Sequence, residues 1–441
     1  MRPLERFGDG SASREFRPGC AAGAARGTAS DSGEAGAVYG RVHGSRTGEQ
    51  GQEGTERRHG MLKVQWIAYA VSFISAYAMP ATVPVLPALA EEFAMPESSM
   101  GLLMAAFTLP CILLTPLFGI LADRVSPRLI LLPCILLYGA GGFACGTAQS
   151  LEALLLWRMV QGAGGACLGL LNTTLLGGVA EGMERSRFMG RTYVAICAGV
   201  MFFTLLAGWA GGMDWRYAFW VPSLFTIPLF LACLLTRLPS SGVRRSFPDC
   251  CRGMAEALRS RRVLAVLGIS FINIGVNMGA VMTFFPGYAH LRFGTPSSGL
   301  GMCYGLSALG MLAGSLFVAR NRRFPPFTVI RAAALLSAGG IALMPFLPSF
   351  WALLVPLWLC SLQDGAIRPC LSAVMAGLGG REQRSAVMSL DVTVFRLSQS
   401  LSPLLFGGAL ELAGYGGVFL GGAAALLLLV LLVLSAQGGR P

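Results

Sequence analysis

Charge is what this chain of 441 residues has least of. Only 13% of its residues are Asp, Glu, Lys or Arg, against about 25% in an average soluble domain. That is too little to cover a solvated surface. The deficit is deeper than the average, because residues 1–60 alone hold nine Arg and eight acidic residues. Lysine is nearly absent, with Lys63 the sole example, and there are only three histidines. No Gly-rich ATP-binding P-loop occurs, and no His-Glu-x-x-His or Gly-x-Ser-x-Gly signature, so motifs for nucleotide hydrolysis and for common hydrolases are missing. Nine of the twelve cysteines, Cys111 and Cys360 among them, fall inside apolar runs, where Cys behaves as a small hydrophobe. Cys250 and Cys251 are adjacent in a basic segment and Cys20 is isolated, which fits neither a zinc site nor a disulfide framework. The expectation is a protein with no metal, no cofactor and no enzymatic activity.

What the chain has in quantity is apolar length. Hydrophobic residues make up 54% of it. From residue 65 onward, stretches of about 20 residues, enough to cross about 30 Å of hydrocarbon as helix, recur twelve times. They lie near 65–89, 98–122, 128–147, 152–177, 190–212, 217–236, 263–288, 298–319, 326–346, 350–377, 385–410 and 414–435. The pattern predicts an all-α membrane protein. Its expected organisation is a disordered leader over 1–60, a six-helix bundle over 61–236, a cytoplasmic central loop over 237–262 and a second six-helix bundle over 263–441. The leader has no apolar centre of a signal peptide, and Met61, where the composition changes, is the expected initiator. A short surface helix is expected near Met254 to Leu258.

The net charge of +12 forms no patch or helical stripe, so nucleic acid is not an expected partner. It sits instead in short breaks between apolar runs. With the N-terminus inside, eighteen arginines fall in inner loops and only Arg216 and Arg292 in outer ones. The positive-inside rule then places both termini in the cytoplasm of a bacterial cell membrane. Trp66, Trp215 and Trp351 stand at predicted span ends, as interfacial anchors do. Offsetting the halves by 199 residues aligns Glu184-Arg185-Ser186 with Gln383-Arg384-Ser385, a faint internal repeat of the kind parallel two-repeat transporters show.

Four segments carry a family resemblance. Between the second and third spans, the run from Gly119 through Asp123 and Arg124 to Arg128 resembles the Gly-x-Leu-Ala-Asp-Arg loop signature of the major facilitator superfamily. Arg158-Met-Val-Gln161-Gly162 in the fourth span, Trp215-Arg216-Tyr-Ala-Phe219 at the sixth and Arg396-Leu-Ser-Gln399 in the eleventh are similar to further segments of that family. The resemblance covers residues 61 to about 436 and is nearest to exporter branches. It implies two six-helix pseudo-repeats, alternating access, and a small-molecule substrate site near the midplane. The sequence departs from the pattern where Phe203 to Gly208 replaces the Gly-Pro segment of proton antiporters, and where Ala319 stands in place of the second loop's acid. Proton-coupled export of a small organic or amphiphilic molecule by a monomer among membrane lipids is the first expectation. Uptake of a metabolite remains open, as does a non-transporting sensor or membrane enzyme.

Five ionisable residues fall inside predicted spans: Arg158, Asp364, Arg368, Asp391 and Arg396. Each costs about 2.5–3.5 kcal/mol near a helix centre and therefore needs a partner or a wet cavity. Asp364 and Arg368 share a helical face. Their depths suggest cross-helix pairs, Arg368 with Asp391 and Asp364 with Arg396. Asp364 is read in three ways: a structural ion pair, a proton-coupling group, or a contact for a charged substrate. Arg158 and Gln161 are expected to face the cavity, and Asn273 and Asn277 to add a polar stripe. Gly119, Asp123, Arg124 and Arg128 form the gating loop that the resemblance implies. Small-residue faces at Gly142 and Gly146, Gly165 and Gly169, and Gly208 and Gly212 predict close helix packing.

Overall fold

The computed structural model describes residues 62, 64–122, 125–177, 182–236, 247–321, 323–378 and 381–438. The expected leader, and residues 237–246 of the expected central loop, lie outside them. Ten apolar helical stretches are each long enough to cross a bilayer, and the last, Ala386–Ala436, contains two helices. Leu151–Gly177 supplies a further helix of 27 residues. The protein is therefore a multi-pass membrane protein, all-α among the described residues, which supply twelve membrane helices.

In chain order these are α1 (Val64–Glu92), α2 (Met100–Ala122), α3 (Pro127–Cys145), α4 (Leu151–Gly177), α5 (Gly182–Gly211) and α6 (Tyr217–Leu235). The second half consists of α7 (Arg261–Phe293), α8 (Ser297–Arg320), α9 (Pro326–Phe346), α10 (Phe350–Gly377), α11 (381–413) and α12 (415–438). The last two form one run that turns at Gly414, whose φ of 62° is a left-handed value that favours glycine.

Burial is inverted relative to a soluble protein. Leu113, Leu235 and Leu412 are 67%, 84% and 90% exposed, whereas Arg158, Gln161, Asn273 and Gln363 are buried. Such a distribution is stable only where the surrounding medium is lipid and polar groups find partners inside.

Two helices are less regular than their apolar runs predict. α1 breaks at Ala76 and Tyr77 and passes through a 3-10 turn at Val83–Val85. Pro80, Pro84 and Pro87 account for this, since each lacks the N–H that a helix needs and crowds the preceding turn. α7 is π-helical over Asn277–Phe284, where the Thr283 hydroxyl donates to the Met278 carbonyl five residues back at 2.6 Å.

The short helix of the central connection runs over Phe247–Ala257, beginning seven residues before the expected Met254 and ending one residue before Leu258. Pro248 lies in its first turn, where a missing N–H is harmless. Trp215 is a second correction. It is 6% exposed, packed edge-on against Phe93 with the Arg216 guanidinium over its ring, so it closes the end of α1 and does not anchor in the interface. Trp66 and Trp351 are 70% and 64% exposed, as interfacial anchors are.

Candidate functional site

The kink in α1 is the starting point of the first polar cluster. There the Tyr77 hydroxyl donates to the Tyr138 carbonyl at 3.0 Å, and the Tyr138 hydroxyl donates to the Ser75 carbonyl at 2.9 Å, which locks α3 onto the break. Gln161 of α4 donates from Nε2 to the Tyr77 hydroxyl at 3.1 Å. Arg158, one helical turn earlier, is fully buried. Its Nη1 donates to the Ala78 carbonyl at 3.1 Å and to Gln161 Oε1 at 2.9 Å, its Nε to the Leu103 carbonyl at 3.4 Å, and Phe107 lies 5.0 Å beneath its guanidinium. Hydrogen bonds to a charged group contribute about 1.5–3 kcal/mol each, so this set offsets the cost of burying the cation without a carboxylate. Arg158 thus ties α4 to α1 and α2 and does not extend to the interface.

The second cluster lies in the other half, and it corrects the expected pairing. Neither Arg368 with Asp391 nor Asp364 with Arg396 forms an ion pair; among the described residues, ion pairs occur only at Arg216 and His290. α7 stands between the acids and answers both with neutral donors. Asn273 Nδ2 donates to Asp364 Oδ1 at 3.1 Å, and the Ser270 hydroxyl donates to Asp391 Oδ1 at 2.6 Å. Gln363 Nε2 donates to Asn273 Oδ1 at 2.6 Å and fixes the amide's orientation. The guanidinium of Arg368 lies 4.3 Å from the centre of the Phe395 ring, and that of Arg396 lies 5.8 Å from it. Arg396 Nη1 donates to Gln399 Oε1 at 3.2 Å, but its Nε is buried without an acceptor. The expected pairs do not form because α7 supplies the donors to both acids, while both guanidinium groups lie against the Phe395 ring.

The two clusters meet where the halves meet. Tyr193 and Cys197 of α5 lie within electrostatic reach of Asp364, and Cys111 of α2 within reach of both Arg158 and Arg396. The Ser400 hydroxyl of α11 donates to Thr108 of α2 at 2.6 Å. Asn277 opens the π-helical segment and is half-buried. Tyr77, Tyr138, Ser270, Gln363 and Phe395 were not singled out in the sequence. A polar side chain inside an apolar run would have flagged Gln363 and Ser270; nothing local marks Phe395.

At the outer end, as charge placement defines it, three side-chain contacts join the halves. His290 Nε2 lies 3.0 Å from Glu91, the Tyr415 hydroxyl donates to Glu97 at 2.5 Å, and the Ser98 hydroxyl donates to Glu411 at 2.7 Å. At the inner end, Arg128 donates to the Leu234 carbonyl, which joins α3 to α6 within one half. Gly119 lies in α2, and Asp123 and Arg124 of the expected gating loop lie outside the described residues.

Comparison with known proteins gives concordant results. A family model described as the Major Facilitator Superfamily matches residues 66–362. The chain is 22% identical over 355 residues to the class B tetracycline resistance protein of Escherichia coli, covering 77% of this chain and 86% of that protein. Among solved structures, the nucleoside transporter NupG superposes with a TM-score of 0.69 at 14% identity, covering 86% of this chain and 99% of that one. A D-xylose-proton symporter gives a TM-score of 0.70 at 13% identity, with coverages of 87% and 98%.

Proposed function

The chain belongs to the Major Facilitator Superfamily of transporters, and on that premise we propose that it carries a small organic molecule out of the cell by alternating access. The observation that carries this reading is the polar cluster at the junction of the halves. Asp364, Arg368 and Arg396 are ionisable groups at membrane depth, held by helices of one half and within reach of Tyr193 and Cys111 of the other. Charged groups so placed mark a substrate or ion path by default, since they are costly anywhere else in the bilayer. Among the described residues, the side-chain bonds that join the halves at a helix end are those of the outer end, which supports reading the state as one that admits ligand from the cytoplasm.

Export is favoured over uptake by the likeness to a tetracycline resistance protein and by the exporter-like segments around Asp123, Arg158 and Trp215. The plasma membrane is the proposed location. Asp364 is the proposed site of proton linkage, being the carboxylate nearest the junction. Purified protein in proteoliposomes, given a panel of metabolites and lipophilic ions under an imposed pH gradient or membrane potential, tests this directly. Outward movement of a panel member that depends on the protein supports the reading. Absence of movement under every gradient overturns it, and strictly inward coupling overturns the direction.

A further inference from the structure

Charges at membrane depth ordinarily pair closely. Among the described residues the half-buried Asp364, Arg368, Asp391 and Arg396 form no close ion pair, although Arg368 lies within electrostatic reach of Asp364. Asp364 and Asp391 take their hydrogen bonds from Asn273 and Ser270. Arg368 and Arg396 lie over one aromatic ring, and Arg396 keeps a buried Nε with no acceptor. A guanidinium carries five N–H donors in a fixed fork that matches two carboxylate oxygens. A ring face uses none of these donors. The two arginines therefore flank Phe395 with most of their donors uncommitted, and no acid of the described chain pairs with them.

Their position makes that surplus available to a ligand. Arg368 lies within electrostatic reach of Tyr193 on α5, and Arg396 within reach of Cys111 on α2. Both cations therefore stand at the junction of the halves, not inside one bundle. The Tyr193 hydroxyl is itself buried without a partner. With Arg158 included, three cations face two acids among the five ionisable residues that the sequence places in the spans.

We propose that the substrate carries a carboxylate or an equivalent oxyanion, which docks on Arg368 and Arg396 beside Phe395. Its remaining body is apolar, to suit the Phe395 ring beside both guanidinium groups. The proposal rests on the reading of the chain as a transporter and names its substrate class.

The test is a binding assay on the purified full-length protein. Radiolabelled 2-naphthoate is captured in a scintillation proximity format and competed with unlabelled 2-naphthoate, benzoate and octanoate, then with 2-naphthamide and 2-naphthylmethylammonium. The expected result is saturable binding that the carboxylates displace at least tenfold more effectively than the amide or the ammonium ion. Arg368→Gln and Arg396→Gln are each expected to weaken binding at least tenfold, and Arg396→Lys, which keeps charge without the fork, to fall between. Absence of saturable binding overturns the proposal, as does equal competition by the amide or the ammonium ion. The competition series uses native protein only, so it decides the matter even where a variant does not fold. Proteoliposomes separate this proposal from the transporter reading. Carboxylate binding without movement of any solute removes the transporter reading and leaves the site, whereas movement confined to neutral or cationic solutes does the reverse.

Discussion

Gly208 of α5 and Gly301 of α8 meet backbone to backbone, one from each half of the molecule. A Cβ on Gly208 would lie 2.5 Å from the Gly301 Cα, and one on Gly301 would lie 2.9 Å from the Thr204 carbonyl oxygen. A similar seam joins α2 to α11, where a Cβ on Gly101 would lie 2.5 Å from the Pro403 carbonyl oxygen and one on Gly407 would lie 2.6 Å from that of Ser98. Both seams are nearer the outer end. They show that the outer side closes by direct helix contact that only residues without a side chain permit.

Gly208→Val is therefore expected to hold the α5–α8 seam apart and to reduce transport at least tenfold. Gly212→Ala is the control, since the nearest atoms to its added Cβ lie at 3.4 Å, an ordinary contact. Flux in proteoliposomes, combined with thiol labelling of a cysteine introduced near Ser297, distinguishes a failure to close from a failure to fold. Labelling should increase in the Gly208 variant and remain unchanged in the control.

The outer hydrogen bonds act in the same direction with smaller weight. Tyr415→Phe removes the bond to Glu97, and Ser98→Ala removes the bond to Glu411. A bond of this kind contributes about 0.5–1.5 kcal/mol net, which shifts a two-state balance by roughly two- to tenfold. Each variant is expected to raise the outward-open population by that factor, read as the distance between labels on α1 and α7. An unchanged distribution would mean that the glycine seams alone hold the outer end.

The sequence makes the number of helices and their order legible because both depend on apolar length, a local property. Burial of Arg158 was legible for a related reason, since Gln161 and Gly162 follow it at the spacing that the resemblance supplies. The pairing of the four charges in α10 and α11 was not. Agreement in depth says nothing about azimuth, and Asn273 and Ser270 won the acids because α7 happens to stand between them. The breaks in α1 were written in Pro80, Pro84 and Pro87, whereas the π-helical segment of α7 has no comparable signal. Gly208 was marked by its small-residue spacing with Gly212, but its partner Gly301 lies in another half and cannot be read from local pattern.

Arg158 tests whether donor geometry or charge matters at the first cluster. Lysine preserves the charge but offers a compact ammonium instead of a planar fork, and it cannot reach Ala78, Gln161 and Leu103 together as Arg158 does. Arg158→Lys is expected to lose at least tenfold in transport, and Arg158→Ala to lose it entirely, with both proteins still inserted in the membrane. Size-exclusion profiles of the solubilised variants check insertion and folding. Full activity in Arg158→Lys would show that positive charge alone suffices.

Asp364 decides how protons enter. It precedes Arg368 by one helical turn, so its ionised carboxylate and an anionic substrate compete for the same guanidinium. The groups around it are Arg368 on its own helix, Tyr193 and Cys197 on α5, and the neutral amide of Asn273 on α7; α11 contributes Asp391 and Arg396 to the same cluster. Protonating Asp364 removes the competitor and strengthens anion binding, and by reciprocity a bound anion strengthens proton binding. Proton and anion are then companions at this residue, which is the opposite of what exchange requires. Export would run on the substrate's own gradient and carry a proton with it. Binding of 2-naphthoate to the native protein is expected to tighten as pH falls, and Asp364→Asn is expected to bind tightly at every pH, with the pH dependence abolished. A variant that retained the native pH dependence would move proton linkage to another residue. Binding that weakened at low pH, with 2-naphthoate still ionised, would reverse the sign and restore exchange.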